Sequence, residues 1–150
     1  MLRGLDPLMS PALLYHLASM GHGDELAVVD RNFPASATAS RLVRLPSAGL
    51  VAAVKAILTV FPLDQWGKTP FSAMARGGSP ATFAPSVTAA FEMSLEAAGR
   101  SFEIEALEAQ SFYTRARSSF AVLATGEEQL YGCILLRKGV VLPEETHDVQ

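Results

Sequence analysis

The sequence predicts an α/β fold: a single domain with a mostly parallel central sheet flanked by helices. Three observations carry that expectation. The chain has 150 residues, the usual size of one domain. Short apolar runs alternate along it with longer segments of helical periodicity, the pattern of strands joined by crossover helices. Proline and glycine fall at the junctions between them.

The elements follow in order. Ser10 as N-cap and Pro11 at the first helical position open a helix whose stripe is Leu13, Leu14, Leu17 and Met20, with Gly21 expected as its C-terminal cap. Glu25 to Asp30 reads as a buried parallel strand ending in a carboxylate. Arg31 to Ser36 reads as a loop, because Pro34 forbids regular helix. Arg41 to Leu45 is a strand, Gly49 to Phe61 a helix stopped by Pro62, and Gln65 to Pro80 a loose segment. Pro85 to Ala98 forms a long helix capped by Gly99. The last third reads strand (102–107), helix (112–120), strand (120–125), a turn at Gly126-Glu127-Glu128 and a strand over 130–137. Residues 1–142 make the domain, and the polar tail 143–150, which holds His147, is expected to be disordered.

Composition narrows the function. Apolar residues make up 49% and charged residues 18%, a surplus best housed in a subunit interface, so a homo-oligomer is expected. The longest apolar stretch, Ala48 to Phe61, is interrupted by Lys55 and too short to span a membrane. A net charge of −3 and scattered arginines argue against nucleic acid. The N-terminus carries no secretion signal, and a single cysteine, Cys133, excludes a disulfide framework; a cytoplasmic protein is expected. The histidines have no partner at ligand spacing, so no metal is expected. No dinucleotide fingerprint, P-loop or nucleophile elbow is present, so no cofactor is expected either.

Two residues stand out as chemistry. His22 lies between Gly21 and Gly23 at a helix end, uncrowded and able to pass protons near neutral pH. Its plainer reading, the one spacing alone favours, is a loop residue favoured there by the helix dipole. Asp30 ends a buried strand, where open α/β sheets place ligand contacts. It reads equally as a turn-capping aspartate bonded to the Asn32 or Phe33 amide. Spacing alone leaves both pairs of readings open.

The motifs taken in order say more. Leu8-Met9-Ser10-Pro11-Ala12-Leu13-Leu14, Met20-Gly21-His22-Gly23-Asp24-Glu25 and Asp30-Arg31-Asn32-Phe33-Pro34-Ala35 resemble the N-terminal signature of the L-fucose mutarotase and D-ribose pyranase family. Phe112-Tyr113-Thr114-Arg115-Ala116, Thr125-Gly126-Glu127 and Tyr131-Gly132-Cys133 through Gly139 resemble its C-terminal block, with the fucose-type branch closer. The resemblance implies a cofactor-independent isomerase that interconverts the anomers, or ring forms, of a monosaccharide such as L-fucose. It implies assembly into a decamer-like ring with sugar sites shared between neighbouring subunits. It implies His22 as general acid, with Asp30 and Tyr131 on the sugar. Two positions depart from the family: Ala109 stands where fucose-type members have arginine, and Cys133 where they have asparagine. A thiol replaces neither donor nor acceptor of a carboxamide well. The alternative implied by these departures is a sugar-binding protein of the same fold without turnover.

Overall fold

The computed structural model describes residues 1–147 of the chain, with the side chain of His147 outside the description. Helix α1 (Pro11–Ser19) begins as its sequence dictates, the Ser10 side chain accepting from the Leu13 N–H. It ends at Met20 in extended conformation, so Gly21 is not the expected left-handed cap. Strand β1 (Glu25–Val29) follows, then the short α2 (Ala35–Thr38), which starts at Pro34, within the segment expected to be loop. Proline forbids only the helix before it; its fixed φ suits a helix start.

Strand β2 (Leu42–Leu45), α3 (Leu50–Leu58) and α4 (Pro85–Ala98) match their sequence segments, and Gly99 closes α4. The stretch read as loose holds strand β3 (Phe71–Met74), buried along its whole length. The remaining elements are β4 (Glu105–Leu107), α5 (Ala109–Ser118), β5 (Ala121–Thr125), β6 (Ile134–Arg137) and α6 (Pro143–His147). One helical turn therefore occupies the start of the tail expected to be disordered; residues 148–150 of that tail lie outside the described residues.

The six strands form one sheet in the order β2-β5-β1-β6-β3-β4. Strands β1, β2 and β5 pair in parallel, as do β3 and β4, while β6 pairs antiparallel with both β1 and β3. Five strands thus point one way and β6 alone runs back, which makes the sheet mixed. The pleat splits β1 between two cores. Leu26 and Val28 face the layer of α1, α3 and α4. Ala27 and Val29 face α2 and α5, where Phe112 and Ala116 are packed away from solvent.

This topology decides where chemistry gathers. The carboxyl ends of five strands lie along one edge of the sheet. Strands β5 and β6 flank β1 without pairing to each other, so the loop joining them, residues 126–133, crosses the carboxyl end of β1. The Arg31 N–H donates to the Glu127 carbonyl at 3.1 Å as it passes.

Candidate functional site: a cleft at the carboxyl end of the sheet

Asp30 follows the last residue of β1 and is buried. Its Oδ1 accepts from the Asn32 N–H at 2.9 Å, and its Oδ2 accepts from the Cys133 thiol at 3.3 Å. Burial and the neighbouring Asp30 carboxylate push the Cys133 thiol well up, so it stays protonated and donates. Asp30 therefore caps its own turn, the plainer of its two readings, and also lines a cleft.

That cleft has a volume of about 300 Å³, at the small end of ligand pockets. Its walls are Asp30, Asn32 and Phe33 after β1, Met74 from β3, Ala109 and Tyr113 from α5, and Leu130, Tyr131 and Cys133 from the crossing loop. Four residues singled out from the sequence, Asp30, Ala109, Tyr131 and Cys133, meet there. Helix α5 begins at Ala109, three residues before the expected start, which carries that alanine to the rim. Tyr113 stacks on Phe33 with ring centroids 5.1 Å apart and 20° between planes.

Tyr131 does not open the final strand, as its sequence suggests. It lies before β6 in the left-handed region at φ 63°, a costly conformation for a non-glycine residue and one that clusters at functional sites. Gly132 explains the loop's path. A Cβ there would come within 2.8 Å of Glu127 Cγ and 3.0 Å of the Gln129 carbonyl, so only glycine lets the loop fold on itself.

His22 is not in this cleft. It precedes β1, while Asp30 follows it, and five strand residues separate them by about 16 Å or more. Its Nε2 lies 3.2 Å from Oδ1 of buried Asp64, and its ring meets that of Trp66 edge-on at 5.3 Å. The imidazole is 48% exposed and Trp66 is 54% exposed. Gly23, at φ 87°, turns the chain after His22, and its N–H donates to the Lys138 carbonyl.

Asp64 is the residue that sequence reasoning missed. It follows Pro62 in a run without periodicity, and its place is set by long-range pairing: Leu63 bridges Lys138, and the Asp64 N–H donates to the Arg137 carbonyl. Tyr113 was legible only as a helix-start aromatic. Among the described residues, no group of three or more His, Cys, Asp or Glu side chains is placed to hold a metal ion. No helix among them is long and apolar enough to cross a membrane.

Residues 3–141 match the RbsD / FucU transport protein family. The chain belongs to that family. The human fucose mutarotase is 39% identical over 145 residues, covering 93% of this chain and 94% of the human protein. The L-fucose mutarotase of Actinobacillus pleuropneumoniae is 38% identical, covering 93% of this chain and 97% of its own. The crystal structure of the fucose mutarotase of Streptococcus pneumoniae in complex with L-fucose superposes with a TM-score of 0.85 at 32% identity. It covers 94% of this chain and the whole of that one. The RbsD/FucU chain described here therefore shares fold and length with sugar mutarotases.

Proposed function

We propose that the protein is an isomerase that interconverts the anomers of a monosaccharide of the L-fucose class by general acid–base ring opening. The observation that carries the proposal is the convergence of Asp30, Ala109, Tyr131 and Cys133 on one monosaccharide-sized cleft. Relatives at 36–39% identity over most of the chain are named for that activity.

The chemistry needs only protons. As the anomeric hydroxyl loses its proton, the bond from C1 to the ring oxygen breaks and that oxygen gains one. Rotation about C1–C2 and reclosure on the other face return the ring with inverted C1. No electron is gained or lost, so a proton donor, an acceptor and hydroxyl contacts suffice. In our reading the buried Asp30 carboxylate accepts from a sugar hydroxyl, and Tyr131 packs against the ring. His22 donates the proton. Asp64 accepts from Nε2–H of the imidazolium and fixes its orientation, leaving Nδ1–H to give its proton to the ring oxygen.

Within one subunit His22 and Asp30 lie at opposite ends of β1. The active site we propose is therefore composite: the exposed His22–Asp64–Trp66 corner of one copy closes over the Asp30 cleft of another. A homo-oligomeric ring provides such repeated contacts. Trp66, apolar and exposed beside a half-exposed histidine, is the type of residue that anchors an interface.

A second reading has its own support. Ala109 offers no charge to the sugar, and the thiol of Cys133 is spent on Asp30. A protein so altered that binds a sugar without turning it over is the alternative. NMR exchange between anomeric protons, run on L-fucose, D-ribose, D-galactose and L-rhamnose, separates the two. Accelerated exchange that disappears in His22→Ala is expected. Binding by saturation transfer without acceleration of any sugar would select the second reading.

A further inference from the structure

The cleft does not end at Tyr131. A second cavity of about 260 Å³ opens on its far side, and Leu130 and Tyr131 form walls of both. The rest of its lining is Arg76, two residues beyond β3, with Ala84 and Pro85 at the start of α4 and Gln129 from the crossing loop. Among the described residues no carboxylate lines it.

Arg76 is its one charge among the described residues. Its backbone is pinned, the Arg76 N–H donating to the Thr82 carbonyl at 2.7 Å, while the residue itself is exposed. Among the described residues its guanidinium has no ion-pair partner. Gln129 is half committed: its side-chain oxygen accepts from the Ser86 N–H at 2.9 Å, which leaves its NH₂ group as a donor. The compartment therefore offers donors and positive charge without competing acceptors from acidic side chains. An arginine fork of that kind suits carboxylate or phosphate, to which it bonds in bidentate fashion. By contrast, the arginines nearer β1 are engaged, Arg31 with Glu128 and Arg44 with Ser36.

We propose that this compartment is an anion subsite of the sugar cleft, and that the protein prefers a monosaccharide carrying an acidic substituent remote from its anomeric carbon. The proposal rests on the mutarotase reading of the Asp30 cleft. The ring lies against Tyr131 in the first cavity, and its carboxylate or phosphate passes Leu130 to meet Arg76 and the Gln129 amide. With Ala109 neutral, the charge contact would come from this side, where Arg76 shares the Leu130 and Tyr131 walls with the cleft.

Anomeric exchange measured on D-galactose, D-galacturonate and D-galactose 6-phosphate tests this, each corrected for its rate without enzyme. L-fucose serves as the control for turnover. The acidic sugar is expected to exceed D-galactose by about tenfold in kcat/KM, the worth of one charged hydrogen bond. That ratio should collapse in Arg76→Gln, survive in part in Arg76→Lys, and shrink with added salt. The carboxylate and phosphate arms identify which anion fits. Equal rates for neutral and acidic sugars, or a preference unchanged in Arg76→Gln, overturn the proposal while L-fucose turnover leaves the mutarotase reading intact. If no sugar is turned over, saturation-transfer affinities on the same panel decide: an Arg76-dependent preference for the acidic sugars supports the subsite, and its absence rejects it.

Discussion

The thiol of Cys133 gives Asp30 a hydrogen-bond donor that no sugar has to supply. It is 1% exposed and its deprotonation is opposed by burial and by Asp30. Native protein should therefore resist alkylation by iodoacetamide at pH 8 and react fully once unfolded, which thiol counting by mass spectrometry checks. Cys133→Ala leaves Oδ2 of a buried carboxylate short of a donor, at a cost of about 1–3 kcal/mol in urea unfolding. In the proposed mechanism Asp64 acts through His22, whose Nε2 it meets at 3.2 Å. Asp64→Asn retains an oxygen at that place and removes the charge, and should lower kcat by roughly tenfold or more with little change in KM. A parallel rise in KM would instead mark Asp64 as a sugar contact.

At the scale of elements, α5 is tied to the sheet by charge as well as by Phe112. The Arg115 guanidinium donates to Glu25 Oε2 at 2.7 Å and to Glu105 Oε1 at 2.9 Å, linking α5 to β1 and β4. Ser72 on β3 donates to the same Glu105 oxygen at 2.6 Å. These bonds, Ser72 first and Arg115 next, hold the Glu105 carboxyl below its ordinary range. A group with a lowered folded pKa stabilises the fold above its unfolded pKa, and that contribution is lost as pH falls through the lower folded value. Stability followed by thermal unfolding should decline below about pH 4.5, and Glu105→Gln should flatten that limb. An unchanged acid limb in the variant would remove Glu105 from the account. The same network explains why β3 escaped sequence reading. Phe71-Ser72-Ala73-Met74 is four residues long, its serine is buried by partners more than thirty residues away, and proline and glycine surround it. The longer elements, with caps and periodicity of their own, were legible: α1 from Ser10 and Pro11, α4 from Pro85 to Gly99, β1 from its apolar run.

For the whole molecule, the decisive feature is that His22 and Asp30 occupy opposite ends of one strand. The composite site proposed for it would make activity depend on assembly. Dilution below the association range should abolish turnover, and mixing two inactive variants should restore some. In co-refolded oligomers of His22→Ala and Asp30→Asn, roughly a quarter of randomly formed interfaces join an intact histidine to an intact aspartate. Activity near a quarter of the native level is the expected result. A mixture as inactive as its components would mean that one subunit supplies both groups.

By itself the sequence determined the α/β class, the parallel run of β1 into Asp30, the family, and four of the residues that meet in the cleft. These are local signals, carried by caps, short apolar runs and ordered motifs. Tertiary structure alone decided that β6 runs against its neighbours and that the 126–133 loop must cross β1. It alone made Asp64 the partner of His22, kept His22 from the cleft of its own subunit, and put Arg76 across Tyr131 from Ala109. Each of these depends on pairing between residues far apart in the chain. Strand order and loop paths are set by the packing of the whole sheet, and no short window of sequence contains that information.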